Sequence, residues 1–293
     1  MEYFDDITIA LVLYNSEEVI ENCLQLFSQD QKIIAIDNAS TDASATLVSQ
    51  LHPQARIIKN DVNRGFGRAV NQAVTFADTP YVLLLNPDAI MNSGAISRLF
   101  EFAEKNPNTS IVAPYLTIPN RGLELDLRGP EGAEYNVPMT IPEGPFSTWF
   151  ATGAVWLARV SDWLELGGFD EGIFLYGEDL DFCFRLRNAG KTIVICPDSR
   201  GIHLLSKSTK ATKKIKWRKE WNIIWSHLYV TQKHFGKIKT KAEISRLFWR
   251  HFPKMLFHGL VLERKRFQRD FAIVHAVISF IFGHMLENSN HRS

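Results

Sequence analysis

The stretch ITIALVLYNSE, residues 7–17, carries the reading of the fold. Ile7 to Leu13 is almost wholly apolar, and the chain then turns abruptly polar at Tyr14-Asn15-Ser16-Glu17. A run this short and uniform predicts a strand covered on both faces, because a strand with one wet face would alternate. The same pattern recurs at Lys32–Ile36, Arg56–Ile58, Tyr81–Leu85 and Ile111–Ala113. Amphipathic stretches fall between the runs, at Glu17–Leu26, Ala43–Leu51, Phe66–Phe76 and Ala95–Glu104. Ser40-Thr41-Asp42 suits the start of the second of these helices, and Ser93 suits a cap for the last. Strands alternating with helices predict right-handed βαβ units and a mainly parallel sheet.

Working outward, the pattern fails from Leu116 to Trp149, where Pro, Gly and charges cluster. That predicts a long excursion over the sheet, with a short strand at Leu123–Leu127. A strand at Ala154–Ala158, a helix over Glu178–Ala189 closed by Gly190, and a strand at Thr192–Cys196 follow. After Lys216 the chain reads as helical.

The 293 residues, 45% hydrophobic and 22% charged, can bury a full core and are not disordered in character. The net charge of +1 hides an asymmetry. From Lys207 to Arg269 there are 18 Lys and Arg against three acids, so the other 15 bases share the remainder with 29 acids. An acidic body thus carries a basic tail, which suits phosphates, nucleic acid or anionic lipid. The three cysteines form no CxxC pair, which favours free thiols and a reducing compartment. The acidic start MEYFDD reads as the approach to a strand and not as a secretory leader.

In open parallel sheets, ligands bind beyond the carboxyl ends of the strands. Strand one exits at Tyr14-Asn15-Ser16-Glu17, strand two at Asp37-Asn38, and the Tyr81–Leu85 strand at Asn86-Pro87-Asp88. Each exit alone is equally a turn or cap, but three together favour a site. Asn63-Arg64-Gly65-Phe66-Gly67 reads either as a phosphate loop or as a tight turn. It is a poor dinucleotide fingerprint, with Val70 at the third glycine, and no P-loop signature is present. The densest acidic signal is Gly167-Gly168-Phe169-Asp170-Glu171 followed by Tyr176-Gly177-Glu178-Asp179-Leu180-Asp181. Glu178, Asp181 and Arg185 share a helix face, while Asp179 is turned about 100° from Glu178. Acids at a helix start offset the macrodipole, and one facing a pocket is a candidate general base. His203 follows the last strand and admits both a structural and a metal-ligand role.

These motifs, in this order, resemble glycosyltransferase family 2, inverting enzymes of the GT-A fold, across roughly residues 7–210. The Asn-Pro-Asp and Glu-Asp-x-Asp forms are most similar to the bacterial rhamnosyltransferase branch. The resemblance implies a Rossmann-like, mainly parallel sheet in a catalytic domain over 1–215, with a helical basic appendage over 216–293. It implies transfer of a sugar from a nucleotide-sugar donor to a saccharide or lipid-linked acceptor. dTDP-rhamnose is the favoured donor; UDP-galactofuranose and UDP-N-acetylhexosamine are the alternatives. By the same resemblance, Asp37 holds the donor base, and Asn15 and Glu17 line the nucleoside pocket. Tyr14, Asn63, Gly65 and Asn86 join them on the donor side. Asp88 takes the last position of the family's Asp-x-Asp metal motif, whose first position is here Asn86. Mg²⁺ or Mn²⁺ would then rely on Asp88, the diphosphate and His203. Asp179 matches the catalytic base, with Glu178 beside it. Gly153 and Trp156 match the segment beneath the acceptor, with Asp181 on that side.

Two other classes fit less well. A nucleotidyltransferase would carry a glycine-rich basic loop after strand one, and Asn15–Val19 is neither. A nucleic-acid module would not set so many carboxylates at the strand exits, so no nucleic-acid partner is expected. In the tail, the longest apolar stretch, Phe271–Gly283, falls short of the about 18–20 residues that span a bilayer. Basic residues beside Trp, Phe and Leu suit a helix lying in an anionic membrane interface, with the apolar face of 271–283 buried there. The enzyme would then be cytoplasmic and peripheral on the inner face of the plasma membrane. The alternative is a helical hairpin packed on the catalytic domain or, in a homodimer, on a second subunit.

Overall fold

The computed structural model describes residues 4–92, 94–124, 142–205 and 213–283. The expected cap at Ser93 and the part of the expected strand beyond residue 124 lie outside the described residues. By internal contacts the chain divides into two units, Met1–Asp170 with Asp179–Thr209, and Glu171–Glu178 with Lys210–Ser293.

The first unit is built on one mixed sheet. Its strands are β1 (Ile7–Leu13), β2 (Ile33–Asp37), β3 (Arg56–Lys59), β4 (Tyr81–Leu85), β5 (Ala89–Met91), β6 (Thr109–Ile118), β7 (Gly122–Leu123), β8 (Phe146–Thr148), β9 (Val155–Arg159) and β10 (Thr192–His203). Its helices are α1 (Ile20–Leu24), α2 (Ser44–Leu51), α3 (Phe66–Thr75), α4 (Ala95–Lys105), α5 (Val160–Glu165) and α6 (Glu178–Asn188). The strand order is β3-β2-β1-β4-β9-β6-β10-β5, with β7 on β6 and β8 on β10. The first four strands are mutually parallel, as the apolar runs predict. β9 enters antiparallel between β4 and β6, and β6 and β10 are parallel.

Both faces of the sheet are covered, which is why the strands are apolar throughout. Ile7, Ile9, Leu11 and Leu13 point to one core with Ile20, Leu24, Val48, Ile96 and Leu99. Ala10, Val82 and Leu84 point to the other with Val70, Ala73, Val74, Trp163 and Phe182. The strand period of two thus divides each strand between the layer of α1, α2 and α4 and the layer of α3, α5 and α6. The second core holds an aromatic cluster in which Trp163 lies 4.6 Å from Phe169 and 4.5 Å from Phe182.

The second unit contains α7 (Lys213–Leu260), bent at Gly236 where φ is +81°, and α8 (Arg264–Ile281). Trp221 and Trp225 pack with Ala276, and Leu228 and Leu247 pack with Val277. Ala272, Ile273, Val274, Ala276 and Val277 are buried, so much of the apolar face expected to meet a membrane closes the hairpin on itself. The 171–177 loop belongs to this unit, and Ser226 Oγ donates to the Leu175 carbonyl at 3.2 Å. Among the described residues, no helix is long and apolar enough to cross a membrane.

Candidate active site

Four strand ends meet at one edge of the sheet in the first unit. β1 and β2 run in register, with Leu13 opposite Asp37, so their polar exits are neighbours. The Asn15 Oδ1 accepts the Thr41 amide at 2.8 Å, and a Glu17 carboxylate oxygen accepts the Ala43 amide at 3.0 Å. Asp37 is buried and accepts the Ser40 amide at 2.9 Å. Asn15, Glu17 and Asp37 are thus brought together, and each also holds the loop that leads into α2. Tyr14 stands half-buried at the head of this group.

Asn38, buried in the same exit, organises the glycine-rich loop. Its Nδ2 donates to Asn63 Oδ1 at 3.0 Å and to the Gly65 carbonyl at 3.1 Å, and its Oδ1 accepts the Arg64 amide at 2.9 Å. Gly65 has φ +91°, a conformation side chains resist. The loop is therefore a tight turn clamped by Asn38, with Asn63 and Gly65 at its apex. At the far end of that motif, Asn71 closes onto Phe169 through two bonds of 2.8 and 2.9 Å. A Cβ at Gly168 would lie 2.4 Å from Asn71 Oδ1, so this glycine is required by packing.

The antiparallel entry of β9 shapes the middle of the candidate site. Val155 lies opposite Leu85, and the Asn86 amide donates to the Ala154 carbonyl at 2.9 Å. The residues before β9, including Gly153, therefore flank the end of β4. The Gly153 amide donates to Asp179 Oδ2 at 3.1 Å, and the Leu180 amide donates to Oδ1 at 2.8 Å. Burial pushes the Asp179 carboxyl above the ordinary range; the two amides only partly oppose this, and the charge of Glu124 adds to it. A half-buried carboxylate with a raised pKa is a stronger base than a free one. Glu178, which opens α6, is buried.

On the other side of β4, β10 returns antiparallel to β5 with His203 opposite Ala89, which brings His203 to Asp88. The His203 Nε2 lies 3.4 Å from Asp88 Oδ1 and its Nδ1 lies 2.7 Å from Glu124 Oε2. Burial disfavours the imidazolium, but the bonds to Asp88 and Glu124 outweigh it and lift His203 to about 9. Glu124 is a residue that sequence reasoning did not single out. It lies where periodicity fails, and it reaches the site because its amide bonds the Leu116 carbonyl at 2.8 Å across the β6–β7 turn. It also lines a cavity of about 350 Å³ with Pro114, Leu116, Phe150 and Thr152, next to Gly153.

Trp156 and Asp181 have no exposed surface. Trp156 packs 5.9 Å from Phe169 within the aromatic cluster. Asp181 accepts a 2.8 Å bond from Arg185, which also donates to the Leu166 carbonyl at 2.7 Å and to Gly168. As placed here, both support the site from beneath and neither offers a surface to a substrate.

Asp88 supplies a carboxylate, which suits Mn²⁺ or Mg²⁺, and His203 an imidazole, a borderline ligand that Mn²⁺ accepts more readily than Mg²⁺. Among the described residues no three His, Cys, Asp or Glu side chains form a closed metal cage. A metal here would draw its remaining ligands from a bound diphosphate. It would also compete with the proton on His203.

The glycosyl transferase family 2 model matches residues 8–163, more than half of the chain, and a second, glycosyl transferase family group 2, matches 139–284. The chain belongs to glycosyltransferase family 2, and its activity class is that of a glycosyltransferase. Among its relatives is the Escherichia coli rhamnosyltransferase WbbL, 26% identical over 264 residues, covering 82% of this chain and 98% of that protein. The N-acetylglucosaminyl-diphospho-decaprenol L-rhamnosyltransferase of Mycobacterium tuberculosis is 26% identical over 241 residues, covering 70% of this chain and 78% of that protein. The fold matches the mannosyltransferase PcManGT of Pyrobaculum calidifontis, solved with GDP-Man and Mn²⁺, with TM-score 0.57 and 13% identity over 96% of this chain and 88% of that one. It also matches Staphylococcus aureus TarS 1–349 in complex with UDP-GlcNAc, with TM-score 0.57 and 13% identity over 96% and 93% of the two chains. The sheet is thus of the expected GT-A type.

Proposed function

We propose that this chain is an inverting hexosyltransferase that moves L-rhamnose from its dTDP donor to a saccharide acceptor carried on a lipid diphosphate, in cell-surface polysaccharide synthesis. The observation that carries this reading is Asp179, held by the Gly153 amide beside the strand end that bears Asp88. The acceptor hydroxyl gives its proton to Asp179 as its oxygen bonds the anomeric carbon. The bond from that carbon to the diphosphate breaks on the opposite face, and the nucleoside diphosphate leaves with the electron pair. Asp37, Asn15 and Glu17 surround the nucleoside end, with Tyr14, Asn63, Gly65 and Asn86 along the donor. Asp88 and His203 would hold Mg²⁺ or Mn²⁺, whose charge offsets that of the leaving diphosphate. The cavity lined by Glu124, Phe150 and Thr152 is offered to the acceptor sugar. The rhamnosyl donor is supported by the names of both relatives at 26% identity, and the lipid-linked acceptor by that of the Mycobacterium tuberculosis one. The basic helical unit is assigned to an anionic, cytoplasmic membrane surface where such an acceptor resides.

The test is mass spectrometry of products formed from a panel of nucleotide sugars with a synthetic lipid-diphosphate N-acetylhexosamine and Mn²⁺. A mass gain of one deoxyhexose from the rhamnosyl donor is the expected result. Transfer from a UDP-sugar in its place would reassign the donor, and hydrolysis alone with every donor would remove the proposed acceptor.

A further inference from the structure

The helical unit presents an apolar surface that its own core does not use. α7 ends in a turn in which the Glu263 amide donates to the His258 carbonyl at 2.9 Å and the Leu262 amide to the Gly259 carbonyl at 3.3 Å. This is the Schellman arrangement, whose left-handed position ordinarily holds glycine or asparagine. Here it holds Leu262, with φ +58°. A branched side chain crowds the backbone in that region. Leu262 is nonetheless 81% exposed, so the chain's own packing does not explain its choice. Leu260 is 84% exposed, and Leu256, Phe257 and Val261 are also exposed. Exposed Lys254, Arg264, Lys265 and Arg266 stand around them, against one nearby acid, Glu263, which pairs with Arg266 at 3.0 Å. The turn is braced from behind, because His251 and His258 each bond the fully buried Asp270, at 2.9 and 2.8 Å.

We infer that this turn is a wedge that docks on an anionic phospholipid surface: Phe257, Leu260, Val261 and Leu262 enter the apolar edge of the leaflet while Lys254, Arg264, Lys265 and Arg266 meet headgroup phosphates. Apolar tip and basic collar are the two parts such binding needs. A single helical turn is too small for a standard protein interface, which buries about 800 Å² on each partner. A fluid leaflet imposes no such requirement. The wedge lies in residues 256–262, upstream of the Phe271–Gly283 stretch, much of which the hairpin core consumes. The inference deepens the proposed membrane-linked reading and draws its purpose from it, yet docking itself needs neither donor nor acceptor.

The experiment is flotation of the full-length protein with phosphatidylcholine vesicles with and without phosphatidylglycerol, at low and high salt. Two variants accompany it: Leu260→Ser with Val261→Ser and Leu262→Gly, and Arg264→Gln with Lys265→Gln. Leu262→Gly places glycine where the backbone favours it, so thermal unfolding of the first variant is expected at an unchanged or higher temperature. The parent is expected to float with the anionic vesicles and to be released by salt. The apolar variant should lose at least about tenfold in partitioning, and each removed base about fivefold. Binding of nucleoside diphosphate, measured by calorimetry, should be unchanged in both. A parent that stays in solution with either vesicle overturns the inference, as does an apolar variant that floats like the parent. A parent dimer that the apolar variant splits, seen by light scattering, would overturn it too and assign the turn to a second copy. Loss of nucleotide binding in the parent would instead strike the transferase reading and leave the docking result standing.

Discussion

Asp179 is the residue on which the proposed chemistry turns. It has two backbone donors and a pKa raised chiefly by burial. Asp179→Asn keeps the shape and one of the two acceptor contacts, but cannot take a proton. Turnover is expected to fall at least about 100-fold, with nucleotide affinity kept. The sign of the pH dependence follows from the same shift. The base works only when ionised, so kcat/KM should fall as pH drops through a pKa above the ordinary carboxylate value of about 4. That acid limb should vanish from the residual activity of Asp179→Asn, and a pH–rate profile of both proteins checks it. Asp88 makes the complementary case. Its carboxylate faces His203 at the end of β4, where diphosphate and metal would meet. Asp88→Ala is expected to weaken Mn²⁺-supported nucleoside diphosphate binding at least about tenfold, a scale set by losing one ligand contact. Calorimetry with Mn²⁺ and with EDTA reads this directly, and the variant's two affinities should converge. Asp37, Asp88 and Asp179 were legible as candidates because carboxylates at strand and helix ends are visible locally. Glu124 was not, since nothing in GLELDL distinguishes one acid from the next.

At the scale of elements, the orientation of β9 decides the site. A parallel strand beside β4 would carry residues 151–154 to the opposite edge, away from Asn86. Antiparallel pairing of Leu85 with Val155 places Gly153 against Asp179. A Cβ at Gly153 would lie 3.2 Å from the Asp179 Cβ, tighter than ordinary contact. Gly153→Val should therefore displace the base, lowering kcat about 10- to 100-fold. Its thermal unfolding should fall only modestly, because Gly153 is buried but the Asp179 side chain that must yield is half-buried. Kinetics beside differential scanning fluorimetry separates the two effects. The strand boundaries at β1 and β4 match their apolar runs, whereas β5, β7 and β8 have no comparable signal. Each of those three is only two or three residues long and exists through pairing with β10 or β6.

For the molecule as a whole, the two units carry separate cores, one sheet-based and one built on Trp221, Trp225 and Leu228. The brace at Asp270 belongs entirely to the second. Burial raises the Asp270 carboxyl, but bonds from His251, His258 and Arg269 outweigh it and hold the pKa below the usual value. A depressed carboxylate stabilises fully above its unfolded pKa near 4, and that contribution is lost as pH falls through the folded value. Asp270→Ala should remove about 3 kcal/mol from the helical unit, chiefly the loss of the bonds from His251 and His258, since the Arg269 partner is half exposed. It should lower the unfolding temperature while leaving nucleotide affinity at the strand ends unchanged, which calorimetry in both modes reports. The amino-acid sequence by itself determined the βαβ alternation, the polar strand exits, the family and the acidic-body, basic-tail division. Each of these is written in local composition, where apolar runs and abrupt polar ends act over a few residues. Only the tertiary structure decided that β9 runs antiparallel, that Glu124 reaches His203, that Asp181 is consumed by Arg185, and that Leu256, Phe257, Leu260, Val261 and Leu262 are among the apolar side chains left in the open. Pairing across dozens of residues depends on which surfaces remain to be buried once the local elements exist, and no single stretch of sequence records that.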